Sequence, residues 1–326
     1  MPFEVRYSQL RSDALLNELK RRYSYIKPIS CQLFKTGMND VYVVKAEQNT
    51  YYLRISLTGM HERHDYEEEL FIINSLGGNG IKVVTPVSCE DGSFVWQINA
   101  PEGIRYAVMF LEAEKGPSND KVKMGYNLGQ MVAQMHMIAD ENNYTVSRNP
   151  IDFTQLIKKP LKMIQSHLEH RSTDYFFLQN AAEELSKSID DMGMTQRPHW
   201  GFCHGDVHAK NVCFDGNKPT LIDFDCMGYG WRAYDICVFA WYETLTNSEY
   251  IKDDACKAYI EGYKSVRQLD GNELSAINAF SALREFWLMG HHADLLGRNE
   301  GSGWYNDGYF DFHIGNFKLW YKRFYN

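Results

Sequence analysis

In residues 203–225, CHGDVHAKNVCFDGNKPTLIDFD, three oxygen-bearing side chains stand at fixed offsets: Asp206, then Asn211, then Asp223. An aspartate is a weak base, with an ordinary pKa near 3.9, so Asp206 is suited mainly to orienting a hydroxyl group and taking its proton late in a transfer. The amide oxygen of Asn211 and the carboxylate of Asp223 are hard ligands of the kind magnesium prefers. One orienting carboxylate followed by two metal-ligand candidates is what in-line phosphoryl transfer needs. A competing reading takes His204-x-Asp206-x-His208 as a histidine metal pair, but two histidines four apart near a strand do not by themselves converge on an ion, and a pre-strand loop is a poor match to a helical H-E-x-x-H. His204 reads as a side chain that braces the loop. Lys210 is a candidate to face phosphate, where a cation offsets transition-state charge, with a solvated lysine as the alternative.

The spacing His204, Asp206, Asn211 and the following Asp223 matches the protein-kinase catalytic loop H-R-D-x-x-x-x-N and its metal aspartate. The string HGDVHAKN, with IDFD after it and Tyr234-Asp235-Ile236 beyond, resembles the aminoglycoside phosphotransferase and choline kinase-like superfamily, relatives of the protein kinases that phosphorylate small hydroxylated molecules. Its specific part is residues 202–237. Glycine takes the place of the loop arginine in that family, as Gly205 does here, and Asp223-Phe224-Asp225 departs from the protein-kinase D-F-G, which removes the expectation of an activation switch. The resemblance implies an α+β, two-lobed, protein-kinase-like fold. It also implies ATP and Mg2+ as co-substrate and cofactor, a role for Asp235 in holding the loop, and an acceptor pocket built from the later helices.

A kinase-like first lobe must hold the nucleotide. Lys35-Thr36-Gly37-Met38-Asn39-Asp40 lies between two strand patterns and can present backbone N–H groups to phosphates, which makes Gly37 and Asn39 candidates. In the strand Tyr51 to Ile55, Tyr52 and Arg54 share a face, and Arg54 stands where protein kinases carry the phosphate-pairing lysine. Its helix partner follows from periodicity. Tyr66, Leu70, Ile72, Ile73 and Leu76 define an apolar face centred close to Glu69, and a carboxylate on such a face needs a partner. Glu69 is therefore expected to pair with Arg54, with Glu68 as the alternative. YAVMFLEAEKG resembles the segment joining the lobes, where backbone groups from Phe110 to Glu112 would meet adenine.

For the acceptor, NAFSALREFWLMGHHADLL places Phe280, Arg284, Trp287, His291 and Asp294 on one side of a helix. That mixture of aromatic and ionisable groups fits either an acceptor pocket or a buried ion-pair bridge. Trp304, Tyr305 and Tyr309 with Asp307 are candidates to close the pocket, and aromatics plus acids suit a cationic amine. His136, at the edge of a Met-rich stripe, reads as a satisfied core histidine.

The elements that must position these groups change character along the chain. CQLFKTG, DVYVVKA, TYYLRIS, VVTPVS, SFVWQI and YAVMFL read as strands, with a helix after the third. From about residue 120 apolar residues recur at helical spacing through 155–167, 176–190, 232–245, 255–266 and 273–296, interrupted by VCF and TLID as a short hairpin. The expected division is a nucleotide-binding lobe at 1–112 and a catalytic and acceptor-binding helical lobe at 113–326. At 326 residues two lobes suit the length. The net charge of −8 and pI near 5.8 argue against a nucleic-acid partner. Seven cysteines without a C-x-x-C pair fit reduced thiols and a cytoplasmic location. No run approaches a membrane span. The expected activity is transfer of the terminal phosphate of ATP to a hydroxyl of a small molecule such as an amino alcohol, a sugar or an aminoglycoside. A protein serine/threonine kinase and a nucleotide-binding pseudokinase are the alternatives.

Overall fold

The computed structural model describes residues 3–244, 252–296, 298–299 and 301–326. The chain divides into two compact units: 3–78, 83–113 and Leu295–Gly301 form the first, and 79–82, 114–294 and 302–326 the second. The first holds α1 (Ser12–Arg22), β1 (Pro28–Lys35), β2 (Asn39–Ala46), β3 (Thr50–Ser56), α2 (Arg63–Gly78), β4 (Pro86–Val87), β5 (Val95–Ala100) and β6 (Gly103–Leu111). The strands form one antiparallel sheet in the order β1-β2-β3-β6-β4, with β5 also on β6. Alternation sends Tyr42, Val44, Tyr51, Leu53 and Ile55 into a core closed by Leu15 and Leu19 of α1. A fully buried ion pair sits at one end: Arg105 donates to Asp40 at 2.6 Å and to the carbonyls of Ser56 and Ser8 at 2.6 and 2.9 Å, and Tyr7 donates to Asp40 at 2.9 Å.

The second unit is helical around two small hairpins: α3 (Lys121–Glu141), α4 (Lys159–Ile164), α5 (Ser172–Asp191), β7 (Trp200–Cys203), β8 (Val212–Asp215), β9 (Lys218–Leu221), β10 (Gly228–Trp231), α6 (Arg232–Glu243), α7 (Asp254–Lys264), α8 (Gly271–Leu296, its last two residues in the first unit) and α9 (Asp307–Tyr325). The fold is thus α+β, strands first and helices after. Residue 245, at the end of one helical stretch, lies outside the described residues.

Two local expectations are corrected, and one strand pair was not anticipated. Residues 155–167 do not form one helix: a π-helical turn at Thr154–Lys158 precedes α4, and a 3-10 stretch follows at Gln165–Arg171. Pro160, which has no N–H to donate, sits in the middle of the run. VVTPVS shrinks to the two-residue β4. Finally, β7 and β10, WGFC and GYGW, pair with each other although their glycines argue against strand. Those glycines answer to packing, since a Cβ on Gly201 would lie 2.2 Å from the Arg232 guanidinium and one on Gly230 would lie 2.7 Å from the Ile151 side chain. No disulfide joins any of the seven cysteines among the described residues.

Candidate active site

The second unit builds its chemistry by nesting one hairpin inside another. β7 pairs with β10, Cys203 opposite Gly228, and β8 pairs with β9, Val212 opposite Leu221. Two polar segments lie between the hairpins: the loop 204–211 on the way in and residues 222–227 on the way out. The Ile222 N–H donates to the Asn211 carbonyl at 3.0 Å, so the inner register sets Asn211 and Asp223 side by side. Asp223 has φ of +64° and turns the chain sharply there.

The loop is held from below by Asp235, fully buried in the first turn of α6. Its carboxylate accepts the N–H of His204 at 2.8 Å and of Gly205 at 2.7 Å. His136 of α3 lies 3.0 Å from the same carboxylate and 2.7 Å from the Tyr263 hydroxyl, which makes it a satisfied core histidine. His204 braces the loop too: its Nδ1 accepts the Asp206 N–H at 3.3 Å, leaving Nε2–H to donate to the Ile222 carbonyl at 3.1 Å, and its ring packs on Phe224. Gly205 has φ of +79°, and a Cβ there would lie 2.2 Å from the Cys226 carbonyl, so glycine alone fits.

Asp206 is engaged on both oxygens. Oδ2 accepts Asn211 Nδ2 at 2.7 Å and faces His208 Nε2 at 3.3 Å, while Oδ1 accepts the Arg284 guanidinium of α8. The His208 tautomer follows from its other nitrogen, which accepts the Lys210 N–H at 3.2 Å, and its ring stacks on Tyr242. Burial pushes the Asp206 carboxyl up, but Arg284 first, then His208 and His204, push it further down, and its pKa ends well below the usual range. Asp206 stays ionised at any physiological pH. With its nitrogen committed to Asp206, the Asn211 amide turns its oxygen the other way. That oxygen and the carboxylate of Asp223, one residue beyond the backbone bond to Asn211, are of the hard type magnesium takes, whereas no His or Cys cluster with the loop carboxylates occurs among the described residues. Lys210 is exposed.

In the first unit Arg54 and Glu69 meet as a bidentate pair at 2.8 and 2.9 Å, with Glu69 fully buried and Phe110 and Tyr66 over the guanidinium at 5.3 and 5.8 Å. Phe110 lies opposite Tyr52 on neighbouring strands, and Tyr52 donates to the exposed Glu112 at 3.1 Å. Gly37, at the tip of the β1–β2 hairpin, accepts from Asn299 at 2.9 Å, and Asn39 begins β2, nearly buried. Arg298 donates to the Thr58 carbonyl at 2.9 Å in the same unit.

On α8 the expected face divides. Arg284 reaches Asp206, Trp287 lies under it at 4.1 Å, and His291 stacks on Trp287 with 7° between the rings; Asp294 follows one turn on, half-buried. Phe280 does not join them: it is fully buried against Trp231 and Tyr234, within the run 279–286 of α8 that is buried on every side. The tail is also corrected. Tyr309 bonds His292 at 2.7 Å, Tyr305 donates to the Met289 carbonyl at 2.8 Å, and Trp304 packs on His292, whereas Asp307 turns away to His170 at 2.7 Å and to Arg171. The sequence reading missed the Asp206–Arg284 pairing itself, which joins positions 78 residues apart.

One buried and two half-buried histidines give a pH signature. Burial above all lowers the pKa of His136 and His291 to about 4 and of His292 to about 3. Their unfolded values lie near 6.5, so the unfolded chain binds more protons below that pH and stability falls on acidification, by about 1.4 kcal/mol per pH unit for each group. The Asp206 pKa is lowered too, but for a carboxylate that is stabilising: its contribution is complete above the unfolded value near 3.9 and is lost only as the pH falls below it. The melting temperature is therefore expected to drop steadily from pH 6.5 to 4.5; a flat profile over that window contradicts the assignment.

Among known proteins, the pattern of the "Phosphotransferase enzyme family" matches residues 31–269. An uncharacterized protein of Synechocystis is 31% identical over 89% of this chain and 80% of its own length. A homoserine kinase of Agrobacterium fabrum is 27% identical over 69% of this chain and 68% of its own. The structure of the amicoumacin kinase hAmiN in complex with AMP-PNP, Ca2+ and Ami superposes with a TM-score of 0.76 at 19% identity, covering 97% of this chain and 94% of that one. No helix among the described residues is long and apolar enough to cross a membrane.

Proposed function

The chain belongs to the phosphotransferase enzyme family, a small-molecule kinase family, and on that premise we propose that it transfers the terminal phosphate of ATP to a hydroxyl of a small, amine-bearing acceptor. The single observation that carries this reading is the Asp206 carboxylate, ionised, part-buried and fixed by three donors, with Asn211 itself bonded to it and Asp223 following on the partner segment.

Asp206 orients the acceptor hydroxyl and receives its proton as the oxygen bonds to the γ-phosphorus. The bond from that phosphorus to the bridging oxygen breaks, its electron pair leaves on ADP, and the proton passes on to solvent. Asn211 and Asp223 would hold the magnesium ion, which neutralises charge on the phosphate oxygens. In the first unit, Arg54, held extended by Glu69, and the N–H groups from Gly37 to Asn39 suit the phosphates of a nucleotide; in the second, Lys210 is a candidate phosphate cation. Phe110 to Glu112 meet the adenine. Trp287, His291 and Asp294 line the acceptor side. A cytoplasmic setting, which supplies ATP and keeps seven thiols reduced, suits this reading.

The test is transfer of label from γ-labelled ATP, with magnesium, to a panel of amino alcohols, hydroxy amino acids and aminoglycosides. A labelled acceptor is the expected result. Nucleotide binding by thermal shift with no labelled product from any acceptor would instead favour a pseudokinase.

A further inference from the structure

We infer that the acceptor carries a carboxylate close to its reacting hydroxyl, and that Arg284 is the residue that selects it. This rests on the phosphotransfer reading and narrows its substrate class.

Arg284 is 3% exposed and lies between two indoles, Trp287 at 4.1 Å and Trp241 at 5.4 Å. Trp241 is fixed in turn by donating to the buried Glu285 at 2.7 Å, which also accepts from His313. Of the guanidinium nitrogens, Nη1 reaches the Tyr234 hydroxyl at 3.3 Å, Nη2 reaches Asp206, and Nε is buried with no hydrogen-bond partner. Among the described residues Asp206 is the only carboxylate in salt-bridge range of it. So rigid a cation, with one anionic partner and a donor to spare, is built to receive a second anion.

Catalysis supplies the reason. When the acceptor's proton reaches Asp206, the aspartate becomes neutral and Arg284 is left buried without its counter-ion, which is costly. An acceptor carboxylate set against Arg284 restores the pair at that moment and holds the hydroxyl beside Asp206. A cationic or neutral acceptor leaves the charge exposed to no partner. His291, neutral at physiological pH, adds no competing cation on this face.

Matched acceptors that differ only by the carboxylate test the inference: L-homoserine against 3-aminopropan-1-ol, L-threonine against 1-aminopropan-2-ol, and L-serine against ethanolamine. In the wild-type protein kcat/KM is expected to favour the carboxylate member of the productive pair by about 10- to 100-fold, the worth of a charge-assisted hydrogen bond. Arg284→Gln is expected to slow both members, because it also loosens Asp206, but to slow the carboxylate member further so that the ratio falls toward one, and Arg284→Lys to restore part of it. Since Arg284→Gln removes a buried cation and can lower stability, the wild-type ratio stands as an independent readout. Equal or better use of the amino alcohols, or no transfer to any carboxylate-bearing acceptor, overturns the inference while leaving phosphotransfer intact. An equal loss on both members in Arg284→Gln also overturns it, assigning the cation to the transferring phosphate. If no acceptor is labelled and ATP gives no thermal shift, the phosphotransfer reading falls with it.

Discussion

Asp206→Asn is expected to lower kcat by about 10²- to 10⁴-fold while leaving nucleotide affinity within a small factor, because the substitution keeps the shape of the side chain but removes both its charge and its proton affinity. Stability should fall as well. Arg284 loses its ion-pair partner in a buried site, a change that costs about 3–5 kcal/mol when one member of such a pair is removed. The two effects separate in the double variant Asp206→Asn/Arg284→Met. Removing the stranded cation recovers much of the melting temperature, and the rate stays low. A single variant with near wild-type kcat would remove Asp206 from the chemistry, and a double variant no more stable than the single would remove Arg284 from the energetics.

Arg105→Met is expected to be the most damaging change in the first unit, at about 3–5 kcal/mol. It strands Asp40, wholly buried, with the Tyr7 hydroxyl as its remaining donor, and it strips the Ser56 and Ser8 carbonyls of theirs. For a unit of this size that corresponds to a drop of very roughly 10 °C in its melting transition. Arg105→Met/Asp40→Asn should recover part of the loss, since an apolar side chain beside a neutral amide is cheaper than an unpaired buried charge. Thermal unfolding followed in the two variants checks both numbers.

How far the sequence carries toward such statements depends on the range of the interaction. The offsets among Asp206, Asn211 and Asp223 could be read directly because the hairpin that aligns them is local, with its turn and both strands contained in the same short stretch. The orientation of Glu69 was legible for a related reason: helical periodicity alone says which of three consecutive glutamates faces the apolar side, and Arg54 is there at 2.8 Å. The same periodicity misled on α8. It puts Phe280 and Arg284 on one face, yet cannot say how deep along the helix that face is covered, and Phe280 ended inside the core. Asp307 gives a similar lesson, since its partners His170 and Arg171 lie well over a hundred residues away. β7 and β10 were hidden because their glycines are chosen for what presses on them, and no local signal reports a neighbour such as Arg232 or Ile151.

The return of residues 295–301 to the first unit has a practical consequence for dissecting the protein. The first unit is not a severable N-terminal segment: a fragment ending at Ala113 carries the Gly37 hairpin tip and the Thr58 carbonyl but lacks Asn299 and Arg298, which cap them. Rebuilding the first unit by itself therefore takes two pieces, the segment up to Ala113 and a short peptide covering 295–301.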